Sequence, residues 1–173
     1  MIWLKIPKYI KGDTLRLRRL SLFDGPFLNS ALKDKDILWS SGLSMPRFRS
    51  WFSFWWWLRR TYCYPYVIEV CSRRIGFIGL YNLRRDRSVE MSLVIFCNED
   101  RRKGYGTKAF HLLMYNIQQS LFFKKVIVKV REDNSVSLSF WMKLCFNEMD
   151  SNRGFIIMAL TIYGGCDGSL SLI

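Results

Sequence analysis

The stretch Arg101-Arg102-Lys103-Gly104-Tyr105-Gly106-Thr107-Lys108-Ala109 carries the sharpest local signal in the chain. It follows Val89 to Phe96, an apolar run that reads as a strand. It opens Gly104 to Ser120, where Ala109, Leu112, Leu113 and Ile117 fall at helical spacing. Glycines at a helix mouth let backbone N–H groups approach an oxyanion, and the helix dipole favours negative charge there. Arg101, Arg102, Lys103 and Lys108 surround the loop with cations. The pattern suits a pyrophosphate; the plainer reading is a glycine-rich turn that caps a helix. Gly104-x-Gly106-x-x-Ala109 also matches the dinucleotide fingerprint, with Glu132 near the place of a ribose-binding acid. Against a dinucleotide stand the charged residues between Cys97 and Lys103 and the short chain that remains. No Gly-Lys-Ser/Thr ends the run, so it is not a Walker loop.

Outward from this loop, Lys124 to Val130 reads as a β-branched strand and Ser135 to Leu144 as a short helix. Cys145 to Met149 and Phe155 to Ile162 read as closing strands. Upstream, Thr14 to Arg18 alternates with period two, and Ser21 to Leu32 reads as a helix that tolerates Pro26 in its first turn. Tyr66 to Cys71 and Ile75 to Tyr81 read as strands joined by a turn at Ser72-Arg73-Arg74. Between them and the first helix, Arg47 to Arg60 places Phe48, Trp51, Phe52, Trp55 and Leu58 on one helical face, while Phe54, Trp56 and Trp57 spill onto the others. The order β, α, α, three strands, then α, β, α, β, β gives about seven strands. That is an α/β (α+β) domain with a mixed sheet, expected over 1–163, followed by a loose tail over 164–173.

Composition bounds the partners. The chain has 173 residues, half of them hydrophobic, and a net charge of +13. That length buries a core without staples. The charge favours anionic partners, or serves solubility. No stretch approaches the roughly 20 apolar residues of a membrane span, and Met1 to Lys11 has no signal-peptide pattern, so a cytoplasmic protein without a membrane partner is expected. The cysteines, Cys63, Cys71, Cys97, Cys145 and Cys166, are odd in number and show no C-x-x-C spacing, which argues against a disulfide framework and a zinc ribbon. His111 is the one histidine and falls within the predicted helix, where a structural role is the expectation; no metal is expected.

Taken together, the second half resembles the GNAT family of acetyl-CoA-dependent N-acetyltransferases. That family carries Arg/Gln-x-x-Gly-x-Gly/Ala at a strand-to-helix junction, here Arg101 to Gly106. It then carries Asn-x-x-Ser-x-x-x-Tyr-x-Lys-x-Gly-Phe; here Asn134, Ser137, Lys143 and Phe146 match. Val89 to Ile95 resembles the Ala-Glu-Ile-Gly-Tyr entry of the subgroup that acetylates protein N-termini and amino sugars. The resemblance runs from about Glu69 to Phe146. It implies helices on both faces of the sheet, with a splay between strands 4 and 5 that admits the pantetheine arm of acetyl-CoA. It also implies that Leu93, Val94 and Ile95 hydrogen-bond that arm. The pyrophosphate is then expected on Arg101, Arg102, Lys103, Gly104, Tyr105, Gly106 and Thr107, with Asn134, Ser137 and Lys143 completing the cofactor site.

Two positions depart from the pattern. Trp141 stands where the family usually has a tyrosine that protonates the leaving thiolate, and an indole N–H is no usable acid at neutral pH. Cys145 stands at the glycine, where a buried structural cysteine is the expectation. Glu90 is the base candidate by the same resemblance, with Glu69 second; the plainer role for Glu90 is a strand-start acid paired with Arg87. A backbone amide near Val94 is expected to serve the oxyanion.

The acceptor, a primary amine, is expected near the first two helices, with Trp56, Trp57 and Glu69 in its pocket; Trp51 and Trp55 read as core or dimer packing, and a homodimer is left open. Arg47, Arg49, Arg59 and Arg60 favour an acceptor with negative charge, such as a nucleotide-linked amino sugar, with a protein N-terminus as the other amine. The rivals are an inactive or weak CoA-binding domain of the same family, suggested by Trp141, and a basic nucleic-acid-binding module, suggested by interleaved Arg and aromatic residues at 47–60.

Overall fold

In Val89-Glu90-Met91-Ser92-Leu93-Val94-Ile95 the side chains alternate between the two faces of a sheet with a core on each, half-buried from Ser92 to Val94 and buried elsewhere. A computed structural model of the chain describes residues 7–31, 37, 58, 61–119 and 122–162. Among these lie the strands β1 (Tyr9–Lys11), β2 (Arg16–Arg19), β3 (Tyr62–Val70), β4 (Arg73–Tyr81), β5 (Ser88–Ile95), β6 (Lys125–Arg131), β7 (Asn147–Asn152) and β8 (Phe155–Thr161). The helices are α1 (Gly25–Ala31), α2 (Tyr105–Gln118) and α3 (Ser135–Lys143). The sheet order is β1-β2-β3-β4-β5-β6-β8-β7. Every neighbouring pair is antiparallel except β5 and β6, which are joined across α2 and run parallel, as a long crossover requires. No helix among the described residues is long and apolar enough to cross a membrane.

The larger core lies on one face. Ala109, Phe110, Leu113, Met114 and Ile117 of α2 meet Leu17, Ile68, Ile78, Val89, Met91, Val126, Val128 and Met158. Burial of each of these side chains larger than alanine stabilises the fold by about 1.5–3 kcal/mol. The second core holds Leu28 of α1 with Ile37, Leu58, Tyr62, Val67, Phe77 and Phe96. Before α1, Ser21 and Asp24 form a reciprocal capping box.

Several boundaries differ from the sequence expectation. The sheet has eight strands rather than about seven, because the three residues Tyr9–Lys11 pair with β2, too short a segment to show a period. β3 begins at Tyr62, before Pro65. A register shift between Tyr62 and Tyr64 and the end of β2 at Arg19↔Tyr66 leave the proline no ladder N–H to supply. The hairpin turn is Cys71-Ser72, both at positive φ (47° and 64°), so Arg73 and Arg74 belong to β4. Two such residues make the primed turn that matches strand twist. β7 is exposed along its whole length, so no apolar alternation marks it. The aromatic helix expected at Arg47–Arg60 and the tail over 164–173 lie outside the described residues, apart from buried Leu58. His111 is exposed on α2 rather than packed as a structural histidine.

Cys145 corrects a second expectation: it is exposed, at φ 64°. The Phe146 N–H donates to the Trp141 carbonyl (3.1 Å) and the Cys145 N–H to that of Met142 (2.9 Å). Trp141 and Phe146 stack edge-on at 4.9 Å. These are the bonds and the apolar contact of a Schellman motif, whose left-handed residue is usually glycine. A non-glycine residue there costs about 1 kcal/mol or more. Cys145→Gly is therefore expected to raise stability by about 1 kcal/mol, or roughly 2–4 °C in Tm, read by thermal unfolding; an unchanged or lower Tm contradicts the strain assignment.

Candidate functional site

The parallel pair β5–β6 is short. It is registered at Ser88↔Lys125, Val89↔Val126 and Glu90↔Ile127 and goes no further. Beyond it β5 continues with β4 to Gly76↔Ile95, and β6 continues with β8 to Arg131↔Phe155. A gap opens between the two strands. This is the splay expected between strands 4 and 5, which become β5 and β6 once β1 is counted.

The ladder decides which backbone groups face the gap. The Phe96 N–H donates to the Ile75 carbonyl. Antiparallel bonding alternates by two residues, so Val94 and Ser92 also turn their backbone toward β4. Leu93 and Ile95 turn theirs toward the gap. Val94 instead packs its side chain against the second core. Its amide belongs to the ladder, so Val94 is not the free donor expected near the reaction centre.

The glycine loop closes one end of the gap. Gly104 has φ 78°, and a Cβ there would meet no atom within 4 Å. It caps α2, and the amides of Tyr105, Gly106 and Thr107 lie in the first turn, where a helix offers them no acceptor. With Arg102, Lys103 and Gly104 they form a concave donor set that can receive phosphate oxygens. A Cβ on Gly106 would lie 3.4 Å from Leu93 Cδ2 and 3.5 Å from the Phe140 ring, so loop, β5 and α3 converge there. Phe140 is a wall of this site that the motif did not single out. Lys143, in the last turn of α3, is exposed. Asn134 caps α3, accepting from the Ser137 N–H at 3.1 Å.

The four cations of the loop divide in two. Arg101 Nε donates to the Ile95 carbonyl (2.9 Å) and Nη2 to that of Phe96 (3.1 Å). It clamps the end of β5 and does not point into the loop. Lys108 Nζ donates to Thr14 Oγ1 at 3.2 Å, tying α2 to the β1–β2 turn. Arg102 and Lys103 remain exposed beside the amides. Below them, buried Asp100 takes a fork from Arg73 at 2.8 and 2.6 Å. That hydrogen-bonded pair holds the Asp100 carboxyl below its usual range against the opposing effect of burial.

At the other end of the gap sits Glu90, 2% exposed. Its partner is not the expected Arg87. Arg84 Nη2 donates to Oε1 at 2.8 Å, and Lys129 Nζ lies 3.1 Å from Oε2. Oε2 is buried and faces that ammonium as its ion-pair partner, and the Tyr81 hydroxyl hydrogen-bonds the same carboxylate. Arg84 is placed by its own N–H on the Ser88 carbonyl (2.9 Å) and by Asp86, which accepts from the Ser88 N–H and hydroxyl. On the same face Tyr62 donates to Ser92 Oγ (3.1 Å) and its ring lies 4.9 Å from that of Tyr81. Burial, above all, pushes both phenols above their usual value, so they stay neutral donors. Tyr62, Tyr81, Ser92, Arg84 and Lys129 escaped sequence reasoning, since only register brings three strands and a loop to one carboxylate.

Glu69 does not join Glu90. Tyr62 shares a row with Tyr81 and Glu90, and Glu69 lies seven positions further along β3, roughly 20 Å away at strand spacing. It accepts from Arg16 Nε and from Arg18 Nε (2.9 Å). It lines a cleft of 440 Å³ with Tyr9, Lys11 and Cys71, apart from the gap. Trp56 and Trp57, with Trp51, Trp55 and the arginines at 47, 49, 59 and 60, lie outside the described residues. Trp141 is 5% exposed. Its ring packs edge-on against Phe110, Phe140 and Phe146, which makes it a core side chain of the α2–α3 contact.

A family model described as "Acetyltransferase (GNAT) domain" matches residues 14–147. No curated protein sequence matches the chain. Among solved structures, a ribosomal L7/L12 α-N-protein acetyltransferase, RimL, in complex with coenzyme A superposes with a TM-score of 0.77 at 17% identity, over 91% of this chain and 99% of that one. Spermidine N-acetyltransferase from Vibrio cholerae, in complex with CoA and spermine, gives 0.74 at 17%, over 87% and 97%. A probable acetyltransferase of the GNAT family from Chromobacterium violaceum gives 0.73 at 18%, over 90% and 87%. At such identity these structures show the common fold.

The arginine network around Glu69 gives a stability prediction. Arg18 bridges Glu69 and buried Asp24, with 2.7 and 2.9 Å bonds to the latter. Burial alone would raise the Asp24 carboxyl, but hydrogen bonds from Arg18 and Ser21 outweigh it and hold it below the usual value. A lowered carboxyl contributes stability that is present above about pH 3.9 and lost as pH falls through the folded-state value. Asp24→Asn is expected to cost on the order of 3 kcal/mol at neutral pH. In urea titrations the gap to wild type should shrink toward pH 3; a gap independent of pH contradicts the assignment.

Proposed function

Because the chain belongs to the GNAT acetyltransferase family, whose co-substrate is acetyl-CoA, we propose that it transfers the acetyl group to a primary amine positioned at Glu90. The observation that carries this reading is the buried Glu90 carboxylate, whose Oε2 holds an ammonium at 3.1 Å, that of Lys129, at the point where β5 and β6 part. A buried carboxylate that holds one ammonium at contact distance can hold an acceptor ammonium in its place.

The open amides of residues 102–107 fit the pyrophosphate of acetyl-CoA, with Arg102 and Lys103 as counter-charges. The gap-facing carbonyl of Leu93 and N–H of Ile95 fit its arm, beside Asn134, Ser137 and Phe140; Lys143 stands at the far end of α3. When bound, acetyl-CoA supplies an activated acyl carbon and a thiolate leaving group. Glu90 removes the proton that keeps the acceptor amine from acting as a nucleophile. Leu93 N–H, rather than that of Val94, is the backbone donor offered to developing negative charge. Trp141 packs the α2–α3 contact and supplies no proton. A thiol with a pKa near 8.5 leaves without strong acid assistance.

The acceptor class follows from charge. Arg84 and Lys129 give the surroundings of Glu90 a net positive balance. That favours an amine flanked by negative charge, either the N-terminus of an acidic protein or a nucleotide-linked amino sugar, over a polyamine. The α-N-protein acetyltransferase among the structural neighbours makes the protein N-terminus the reading to test first. A CoA-release assay on acidic N-terminal peptides, nucleotide-linked amino sugars and spermidine distinguishes them. Spermidine as the preferred amine contradicts the charge argument; acetyl-CoA binding with no release on any amine favours a CoA-binding domain.

Glu90→Gln is expected to lower turnover by about 10²–10⁴-fold with acetyl-CoA affinity nearly unchanged. Full activity across pH removes Glu90 from the reaction. Gly104→Val places a branched side chain in the open space over the amides, at φ 78°. It should weaken acetyl-CoA binding at least about tenfold in calorimetry, a loss of about 1.4 kcal/mol; unchanged affinity means that the loop does not hold the pyrophosphate.

A further inference from the structure

Lys129 stands where an acceptor amine is needed. Ile127 is registered with Glu90 in the last β5–β6 pair, and Lys129, two residues on, projects from the same face of β6. It therefore sits beside the opening of the gap, with Nζ 3.1 Å from Glu90 Oε2. Its side chain is 44% exposed, and a lysine stem has enough rotatable bonds to swing its head away from the carboxylate. An amine and a buried carboxylate at contact distance form the nucleophile–base arrangement of the reaction. Arg84 bonds the other carboxylate oxygen, so the Lys129 ion pair is made with Oε2.

We propose that Lys129 is a site of self-acetylation, an internal acceptor that uses the same base as the external amine; this rests on the role assigned above to Glu90. The Lys129 ammonium loses a proton to Glu90, and the freed Nζ lone pair attacks the thioester carbonyl of acetyl-CoA. The new C–N bond forms, the C–S bond breaks, the second Nζ proton is lost to solvent, and the thiolate takes up a proton to leave as CoA. The product is Nε-acetyl-lysine at position 129, uncharged, so the Glu90–Lys129 ion pair is gone.

The test is incubation of the purified full chain with acetyl-CoA and no added amine, followed by intact mass and peptide mapping. The expected result is one acetyl group, at Lys129, gained well before exposed Lys8, Lys103 or Lys124, at a fractional rate independent of protein concentration. Glu90→Gln should slow the mark by about a hundredfold or more, and Lys129→Arg, which keeps a cation beside Glu90, should abolish it. Labelling of Lys129 no faster than the exposed lysines, or equal labelling in Glu90→Gln, means chemical acetylation and overturns the proposal. A rate that rises with protein concentration overturns the intramolecular step. An unmodified Lys129 in a protein that releases CoA with an added amine overturns self-acetylation and leaves the proposed function standing. No mark and no CoA release with any amine sinks both.

Discussion

The structure turns on a parallel contact three residue pairs long. Ser88, Val89 and Glu90 hold β6; from Met91 onward β5 has no partner on that side. A sheet that leaves backbone groups unpaired in its middle loses hydrogen bonds that an unbroken ladder would keep. The gap is maintained because each strand is bound on its outer side, β5 by β4 and β6 by β8. The sheet thus consists of two antiparallel blocks joined by the pairs from Ser88 to Glu90. Anything that lies in the gap has polar backbone on one wall and the Gly104 loop at its end.

Charge is sorted along this frame. Of the basic residues near the loop, two serve the fold: Arg101 binds the end of β5 and Lys108 reaches Thr14. Arg73 and Arg18 are also taken, by the buried carboxylates Asp100 and Asp24. A net charge of +13 thus says little about how many cations meet a ligand. Arg102 and Lys103 stay exposed at the loop; Lys108 is exposed as well, with its ammonium on Thr14. At Glu90 the balance is reversed in kind, one carboxylate between two cations, which makes that end of the gap a place of competition for a negative charge.

How much of this was legible depended on range. The loop, the helix after it and the strand before it follow from local pattern, because glycine, helical period and apolar runs act within a few residues. The second motif identified Asn134 and Ser137 by spacing, and the structure adds that Asn134 caps the helix that carries Ser137. What escaped was long-range: the Lys129 contact with Glu90 depends on the register of β5 against β6, and Glu69 was grouped with Glu90 because sequence carries no measure of distance along β3. Val94 was misplaced by one step of a two-residue alternation that only hydrogen-bond phase can fix. Trp141 occupies its motif position, yet its neighbours Phe110, Phe140 and Phe146 decide that it is packed away.

Arg101 changes how the first letter of its motif is understood. The resembling family admits arginine or glutamine there, two side chains that differ in charge but share a planar end with N–H donors. In this chain those donors bridge two successive carbonyls at the end of a strand. What the position keeps is therefore a donor plane of a certain reach, and its charge is incidental. A lysine there would conserve the charge and lose the bridge, while a glutamine would do the reverse. Counting that residue among the phosphate ligands overstates the electrostatic share of the site, and comparing variants by charge alone would rank them in the wrong order.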